Sequence, residues 1–417
     1  MPHGAATSVD VTPPEGAPLA GYLARGDAVA TGTHDPLTAS LLLLTGSGEV
    51  CWVALDALCI DTATAGRIRA AVAEGCGIHA DAVLVCCSHT HSGPATWFRP
   101  LPPAPSTMDT AAVDRLVAAI GGAAARLAPV PVTVEWAVAP DVGVGGNRYV
   151  PTGAHDATAG ALTVHAEDES TVAMLLDYAC HPTVLGYDNL RYSADYPSTA
   201  RRLISEGTGG GAVAFLQGAA GDASTRFTRH AQTFAESERH GKLLASSVLR
   251  SLADSQALGG SAPRVRRSVA QVPTRALPSE ADAAEQLAEA GAARQQFAQH
   301  DDPAARIART RYEGALLQAG MVAAGVPSSV ELPISVVTLG GVAWVHLPVE
   351  PFASYGFAIR AGSPFQDTRV IGYTDGYFGY LADSYGHAAG VYEALSSMFD
   401  PDGGELVVAA VLELLRS

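Results

Sequence analysis

The chain has 417 residues, 48% of them hydrophobic, and 26 Lys and Arg against 42 Asp and Glu leave a formal charge of −16. A field of that sign repels a phosphate backbone and excludes nucleic acid as a natural partner, and the apolar fraction excludes global disorder. No apolar run reaches the roughly 18 residues that a membrane-spanning helix needs. The opening MPHGAATSVDVTPPEG also lacks the basic-then-apolar order of a secretory signal, so a cytoplasmic location is expected.

Taken in chain order, β-branched and apolar runs alternate with helical patterns. Ser40 to Gly46 and Val50 to Leu58 flank a Ser-Gly-Glu turn and read as a hairpin. Residues 62–74 are helical in spacing, and ADAVLVCC then makes a strand that runs into the polar cluster Ser88-His89-Thr90-His91-Ser92-Gly93-Pro94. Residues 111–128 read as a long helix with a kink or break at Gly121-Gly122, followed by the strand PVTVEWAVAP. ALTVHA and TVAMLLDYAC are strands, the second ending at His181-Pro182, and residues 199–206 are helical. GAVAFLQ is a strand with a small-residue turn leading to Asp222, and residues 230–252 form a strong helix. From 277 to 324 the chain turns rich in Ala, Glu, Gln and Arg, which predicts two antiparallel helices forming an insertion or cap. LPISVVTLGGVAWVHLPVE is a hairpin ending at Glu350; the strand RVIGYT and a helix over 404–415 close the chain. Mixed strands and helices with no internal repeat predict an α/β fold, central mixed β-sheets flanked by helices. A length of 417 residues permits several domains, but candidate site residues spread from 89 to 392 favour one domain spanning 1–417.

The six cysteines, Cys51, Cys59, Cys76, Cys86, Cys87 and Cys180, lie mostly in apolar segments without a CxxC pair. They read as reduced, largely buried thiols, with Cys86 and Cys87 on opposite faces of a strand. The chemistry concentrates instead at strand ends. In an extended segment His89 and His91 would point to one side, about 6.5 to 7 Å apart, suited to one metal ion; an exposed HxH turn is the plain alternative. His181, Glu350 and Asp222 each follow an apolar strand, where α/β proteins gather ligands. Taken singly, His181 fits a core histidine, Glu350 an ordinary strand-end carboxylate, and Asp222 a carboxylate capping turn amides. Gly376-Tyr377-Phe378-Gly379-Tyr380 and, twelve residues on, Tyr392-Glu393 read as a packed aromatic loop or as phenols set beside the histidines.

As a set, these segments resemble the neutral/alkaline non-lysosomal ceramidases, zinc-dependent amide hydrolases. His89-Thr90-His91-Ser92-Gly93-Pro94 is similar to that family's signature. Asp10-Val11-Thr12-Pro13, Ala20-Gly21-Tyr22, Asn147-Arg148, Asp177 to Thr183 with Ser193 and Asp195, Phe215-Leu216-Gln217, Gly221-Asp222-Ala223-Ser224 and Leu347 to Glu350 follow in the family's order. The resemblance implies a ceramidase-like catalytic domain with one Zn2+ held by His89, His181, Glu350 and Tyr380. It places His91, Arg148 and Tyr392 on the substrate side; the reading of the residues alone leaves Arg148 as a surface charge. His91 and Tyr392 would divide proton transfer and oxyanion stabilisation between them.

Val349 replaces the family's glycine before the glutamate, Leu381-Ala382-Asp383-Ser384 replaces a Thr-rich run, and the chain stops at Ser417, where family ceramidases continue into an immunoglobulin-like domain. The acidic charge also disfavours docking on anionic membranes. The expected activity is therefore metal-assisted hydrolysis of a carboxamide in a small or lipid-like N-acyl substrate, rather than in ceramide itself. Ester or lactone cleavage, or acyl transfer, on the same zinc centre is the enzymatic alternative. A degenerate binding protein is the other, and it has no reason to keep all four ligand types.

Overall fold

The computed structural model describes residues 2–99, 107–259, 262–297 and 303–417. Strands β1 (His3–Asp10), β2 (Thr38–Thr45), β3 (Glu49–Leu55), β4 (Val83–Cys87), β5 (Val130–Ala139), β6 (Ala159–Ala166), β7 (Thr171–Tyr178) and β8 (Ala212–Gln217) form one mixed sheet. Their order is β8-β7-β6-β5-β1-β2-β3-β4. A second sheet holds β9 (Arg264–Pro273), β10 (Ser329–Leu339), β11 (Val342–His346) and β12 (Asp367–Ile371) in that order. Three neighbouring pairs are parallel, β3 with β4, β7 with β8, and β11 with β12. Each is joined by a crossover helix: α1 (Thr62–Cys76) in the first, α3 (Tyr196–Gly207) in the second and α7 (Ala353–Gly362) in the third. The other helices are α2 (Thr110–Ala124), α4 (Phe234–Ser251), α5 (Glu280–Gln296), α6 (Pro303–Ala324), α8 (Ser384–Ala389), α9 (Tyr392–Leu395) and α10 (Gly403–Arg416). No described helix is long and apolar enough to cross a membrane.

Strand alternation sorts the apolar side chains into layers. Leu42, Leu44, Trp52, Leu84 and Cys86 of the first sheet meet Val337, Val342 and Trp344 of the second. There the Trp344 indole stands edge-on to Trp52 at 5.9 Å and Trp136 at 5.3 Å. The opposite face of the first sheet packs on α1 and α2 through Leu41, Leu43, Val53, Val85 and Cys87, and on α3 and α4 through Met174, Leu176 and Phe215. The outer face of the second sheet packs on α7 and α10 through Val336, Val345, Val407 and Val411. The result is four layers, helix, sheet, sheet, helix. Cys86 and Cys87 do enter opposite cores, and all six thiols are free.

Most expected elements are present, and the differences have physical causes. The helix through Gly121-Gly122 is unbroken. Gly121 serves close packing, since a Cβ there would come within 3.1 Å of the Ala71 Cβ on α1. α4 starts at Phe234 because Thr233 caps it, accepting from the Glu236 amide, a Thr-x-x-Glu signature present in the sequence. β1 was not foreseen: HGAATSVD has little β-propensity, yet it pairs with β2 over eight positions in the middle of the sheet. β9, RVRRSVAQVP, was also missed and pairs along its length with β10. α5 and α6 pack antiparallel, with Arg294 over the Tyr312 ring and the Gln318 amide donating to Gln286; residues 298–302 between them lie outside the described residues.

The sheets are also tied by a buried ion pair, Arg369 Nε of β12 donating to Asp177 Oδ1 of β7 at 2.7 Å. Gly160 on β6 sits directly across from Asp177, and a Cβ there would lie 2.3 Å from the Trp136 ring and 2.4 Å from Asp177 Oδ2. Gly160→Ala is therefore expected to destabilise the protein by about 1–3 kcal/mol, measured as a lower denaturation midpoint with an unchanged denaturant slope.

Candidate metal centre

The three parallel pairs deliver the polar residues. β4 ends at Cys87 and leads into His89, β7 ends at Tyr178 and leads to His181, β11 ends at His346 and leads to Glu350, and β12 ends at Ile371 and leads to Tyr373. These carboxyl ends meet because residues 371–375 are stitched between the two sheets. The Gly372 amide donates to the Gln217 carbonyl, that of Tyr373 to Val349, that of Cys87 to Tyr373 and that of Asp375 to Val85, all at 2.8 to 3.0 Å. The buried Gln217 side chain joins the two histidine loops, its amide nitrogen donating to the Cys180 carbonyl at 2.8 Å and to the Ser88 carbonyl at 3.4 Å.

His89 is not in an extended segment as expected; its φ is +63°, so the chain turns there and the His89 and His91 rings stand edge-on with centroids 5.0 Å apart. Left-handed backbone at a non-glycine residue costs of the order of 1 kcal/mol or more and persists only where its surroundings impose it. Here the ring is anchored: Nδ1 bonds the Leu58 carbonyl at 2.8 Å. His181 is anchored the same way, its Nδ1 bonding the Ala220 and Ala223 carbonyls at 2.8 and 3.1 Å. A carbonyl oxygen only accepts, so each Nδ1 carries a proton and each neutral ring turns an Nε2 lone pair inward.

Both lone pairs face the same carboxylate. Glu350 Oε2 is 3.1 Å from His181 Nε2 and 3.4 Å from His89 Nε2, with all three side chains at most 2% exposed. Neither Nε2 has a hydrogen-bond partner. Lone pairs set against a carboxylate in a dry interior repel unless a cation lies among them. The cation is not readily a proton on His181: burial, then the Arg148 charge, pushes its pKa down to about 4. Burial raises the Glu350 carboxyl, and only positive charge at the imidazoles, or a cation in its place, brings it below the usual carboxylate range. The donor set is that of a divalent metal site, and the buried orphan nitrogens fit one.

Two tyrosines that the sequence reading did not assign hold the carboxylate. Tyr377 donates to Oε1 at 2.5 Å and Tyr373 to Oε2 at 3.3 Å. Their spacing with Tyr380, at four and three residues in a Gly-containing loop, was the available signal. Tyr380 is paired with Glu350 across a two-residue parallel bridge, and its ring lies parallel to that of His181 with centroids 6.5 Å apart. His91 completes the cluster: His89, His91 and His181 each present a nitrogen within 4.8 Å of the others, and neither nitrogen of His91 has a partner. Its ring packs on Tyr22 at 4.8 Å and against Gly21, where a Cβ would come within 2.6 Å of it.

Tyr392 stands edge-on to Tyr380 at 6.0 Å. Arg148 is not the surface charge that its Gly-rich loop suggested. Its guanidinium is 11% exposed and bonds Glu393 at 2.7 Å, Tyr149 donates to the other oxygen of Glu393, and Arg148 Nε is a buried donor without a partner. Asp222 takes the turn role: Oδ1 accepts from the first amide of α7, Ala353, at 2.8 Å, and burial pushes its carboxyl up to about 7. The expected site residues therefore come together, apart from Asp222.

No protein-family profile and no curated protein sequence matches the chain. Solved structures are similar to it. A neutral ceramidase from Pseudomonas aeruginosa aligns with a TM-score of 0.78 at 17% identity, over 99% of this chain and 74% of that one. A ceramidase complexed with C2 gives 0.76 at 16% identity over the same shares. At such identity the likeness shows the fold, and the fold is that of the ceramidase catalytic domain, as the motif resemblance implied.

Tyr377→Phe removes the donor on Glu350 Oε1 while leaving every proposed ligand in place. Metal affinity, measured by competition with a chromogenic chelator, is expected to fall about tenfold or more, the usual effect of losing a bond that orients a ligand.

Proposed function

We propose that this chain is a zinc-dependent hydrolase of carboxamide bonds, with His89, His181, Glu350 and Tyr380 as the ligands and His91, Arg148 and Tyr392 on the substrate side. The observation that carries this is the convergence of two locked, unpartnered imidazole nitrogens on one buried carboxylate. The bond class comes from the resemblance to ceramidases, whose catalytic fold this chain has. A zinc ion in such a donor set supplies a water of lowered pKa and a Lewis-acid contact for the amide carbonyl.

The protein's own groups do the rest. His91 lies beside both ligand histidines with two unpartnered nitrogens and carries the proton to the leaving amine. The Tyr392 hydroxyl stabilises the charge developing on the carbonyl oxygen. Arg148, fixed by Glu393, offers its free Nε–H to a substrate oxygen and orients it. Residues 1–417 act as one catalytic unit, with α5 and α6 as its cap. α6 packs beside the site, Gly314 against Leu395 of α9, so the cap sets the size of the acyl or amine group admitted. A small or lipid-like N-acyl compound is the expected substrate.

Purified protein is expected to hold about one zinc per chain by plasma mass spectrometry. His181→Ala should lose most of it and all turnover of N-acyl amides, whereas His91→Ala should keep the metal and lose activity. Full occupancy in His181→Ala would overturn the ligand assignment, and loss of zinc in His91→Ala would make His91 a ligand in place of Tyr380. Arg148→Ala should likewise keep the metal, with kcat reduced about 10²-fold as positioning is lost.

A further inference from the structure

The wall beside His91 carries arginines that the catalytic proposal does not use. Arg229 bonds the Thr183 carbonyl at 2.6 Å, two residues beyond His181, and the Thr225 hydroxyl at 3.3 Å. Arg226 bonds the Arg148 carbonyl at 3.0 Å. Arg25 stacks on Tyr22, 5.1 Å from its ring centroid, and bonds the carbonyls of Ala20, His91 and Tyr187. From the cap, Arg309 of α6 lies over the Tyr187 ring at 6.0 Å, and Arg306 is near enough to Arg229 for the two charges to repel.

Among the described residues, Arg226 and Arg229 have only carbonyl and hydroxyl partners; no carboxylate lies within 4.0 Å of either. The nearby carboxylates are committed elsewhere. Glu393 holds Arg148 and Tyr149, and Asp195 accepts from the Leu185 and Tyr196 amides and the Ser237 hydroxyl. Arg226 lies exposed, while burial lowers the Arg229 guanidinium from the usual arginine range and the Tyr22 and Asp195 groups partly offset that. In a protein of net charge −16, two neighbouring arginines whose carboxylates stand beyond ion-pair distance can take an anion between them. Exposed apolar groups lie among them: Phe227 is 49% exposed, Tyr187 46% and Leu23 43%.

We propose that the substrate is an anionic amphiphile, an N-acyl compound whose carboxylate or phosphate is held by Arg226 and Arg229 while its chain lies on Tyr187, Phe227 and Leu23. This rests on the hydrolase reading for the bond that is cleaved, but not for the binding. Two arginine forks on one anion give paired charge-assisted hydrogen bonds, and binding energy at that distance from the amide positions it at the metal. A neutral lipid amide leaves both forks unmatched.

The test uses three probes on the zinc-loaded protein: N-octanoylglycine, N-octanoylethanolamine phosphate, and neutral N-octanoylethanolamine, with binding followed by calorimetry and hydrolysis by release of the amine. At least one anionic probe is expected to bind about tenfold or more tighter than the neutral one at low salt, with the gap narrowing as salt rises. The probe with the larger gap identifies the anion as carboxylate or phosphate. The double variant Arg226→Gln, Arg229→Gln should bring that ratio close to one, and Arg229→Lys alone should keep part of it. Equal binding of neutral and anionic probes, or a preference that survives in the double variant, would overturn the anion site even if all three are hydrolysed. An anionic preference that the double variant abolishes, with none of the three cleaved, would support the site and tell against the hydrolase reading.

Discussion

The structure is organised around a buried carboxylate that cannot stand alone. Glu350 lies at the junction of two sheets, 1% exposed, with two imidazole lone pairs at 3.1 and 3.4 Å. An isolated carboxylate in such a place loses several kcal/mol of hydration, and turning lone pairs toward it adds repulsion. Two phenol donors offset part of that, and a cation among the three groups would offset the rest. His89, His181 and Glu350 come from three separate crossover units, so their convergence exists only when both sheets are docked. Binding of a metal there would be coupled to that docking.

The docking is secured away from the site as well as at it. The Trp52–Trp344–Trp136 cluster fills the space between the sheets, and the Arg369–Asp177 pair spans it. Residues 371–375 bridge it by backbone hydrogen bonds. This last segment carries two of the chain's left-handed non-glycine residues, Tyr373 and Asp375; a third is His89 and a fourth Asp195, the cap of α3. Asp375 is held by the Val85 amide and by Arg267, each at 2.9 Å. Asp141 and Glu169 adopt positive φ elsewhere, but at His89, Tyr373 and Asp375 the strain lies where strands leave the sheets, held by hydrogen bonds to neighbouring elements.

The site has two sides of opposite character. On the glutamate side, the Tyr373 and Tyr377 hydroxyls hold a buried carboxylate in the reach of two imidazoles. On the His91 side, Arg25 stacks on Tyr22 and Arg229 lies near Arg306 of the cap. A strongly acidic chain that gathers cations in one place creates a local potential contrary to its overall field. That contrast bears on selectivity, whereas the ligands bear on chemistry, and the two are carried by different loops. α6, bound to α9 and to the Arg275–Gln318 contact, is the element that touches both.

Much of this was legible in one dimension. Apolar periodicity marked the strands because alternation and burial go together, and polar residues beyond strand ends marked His89, His181 and Glu350. Motif order implied Tyr380, Arg148 and Tyr392. Local pattern could not show β1, whose small residues become a central strand only through pairing with β2, or the left-handed turn at His89, which its neighbours impose. Nor could it show that Tyr373 and Tyr377 reach Glu350, that Glu393 fixes Arg148, or that Asp222 serves the start of α7. By itself the sequence determined the residue types able to bind a metal and the alternation that buries them. The tertiary structure alone decided which lone pairs face one another and which arginines lack a carboxylate, because both depend on distances between groups far apart in the chain.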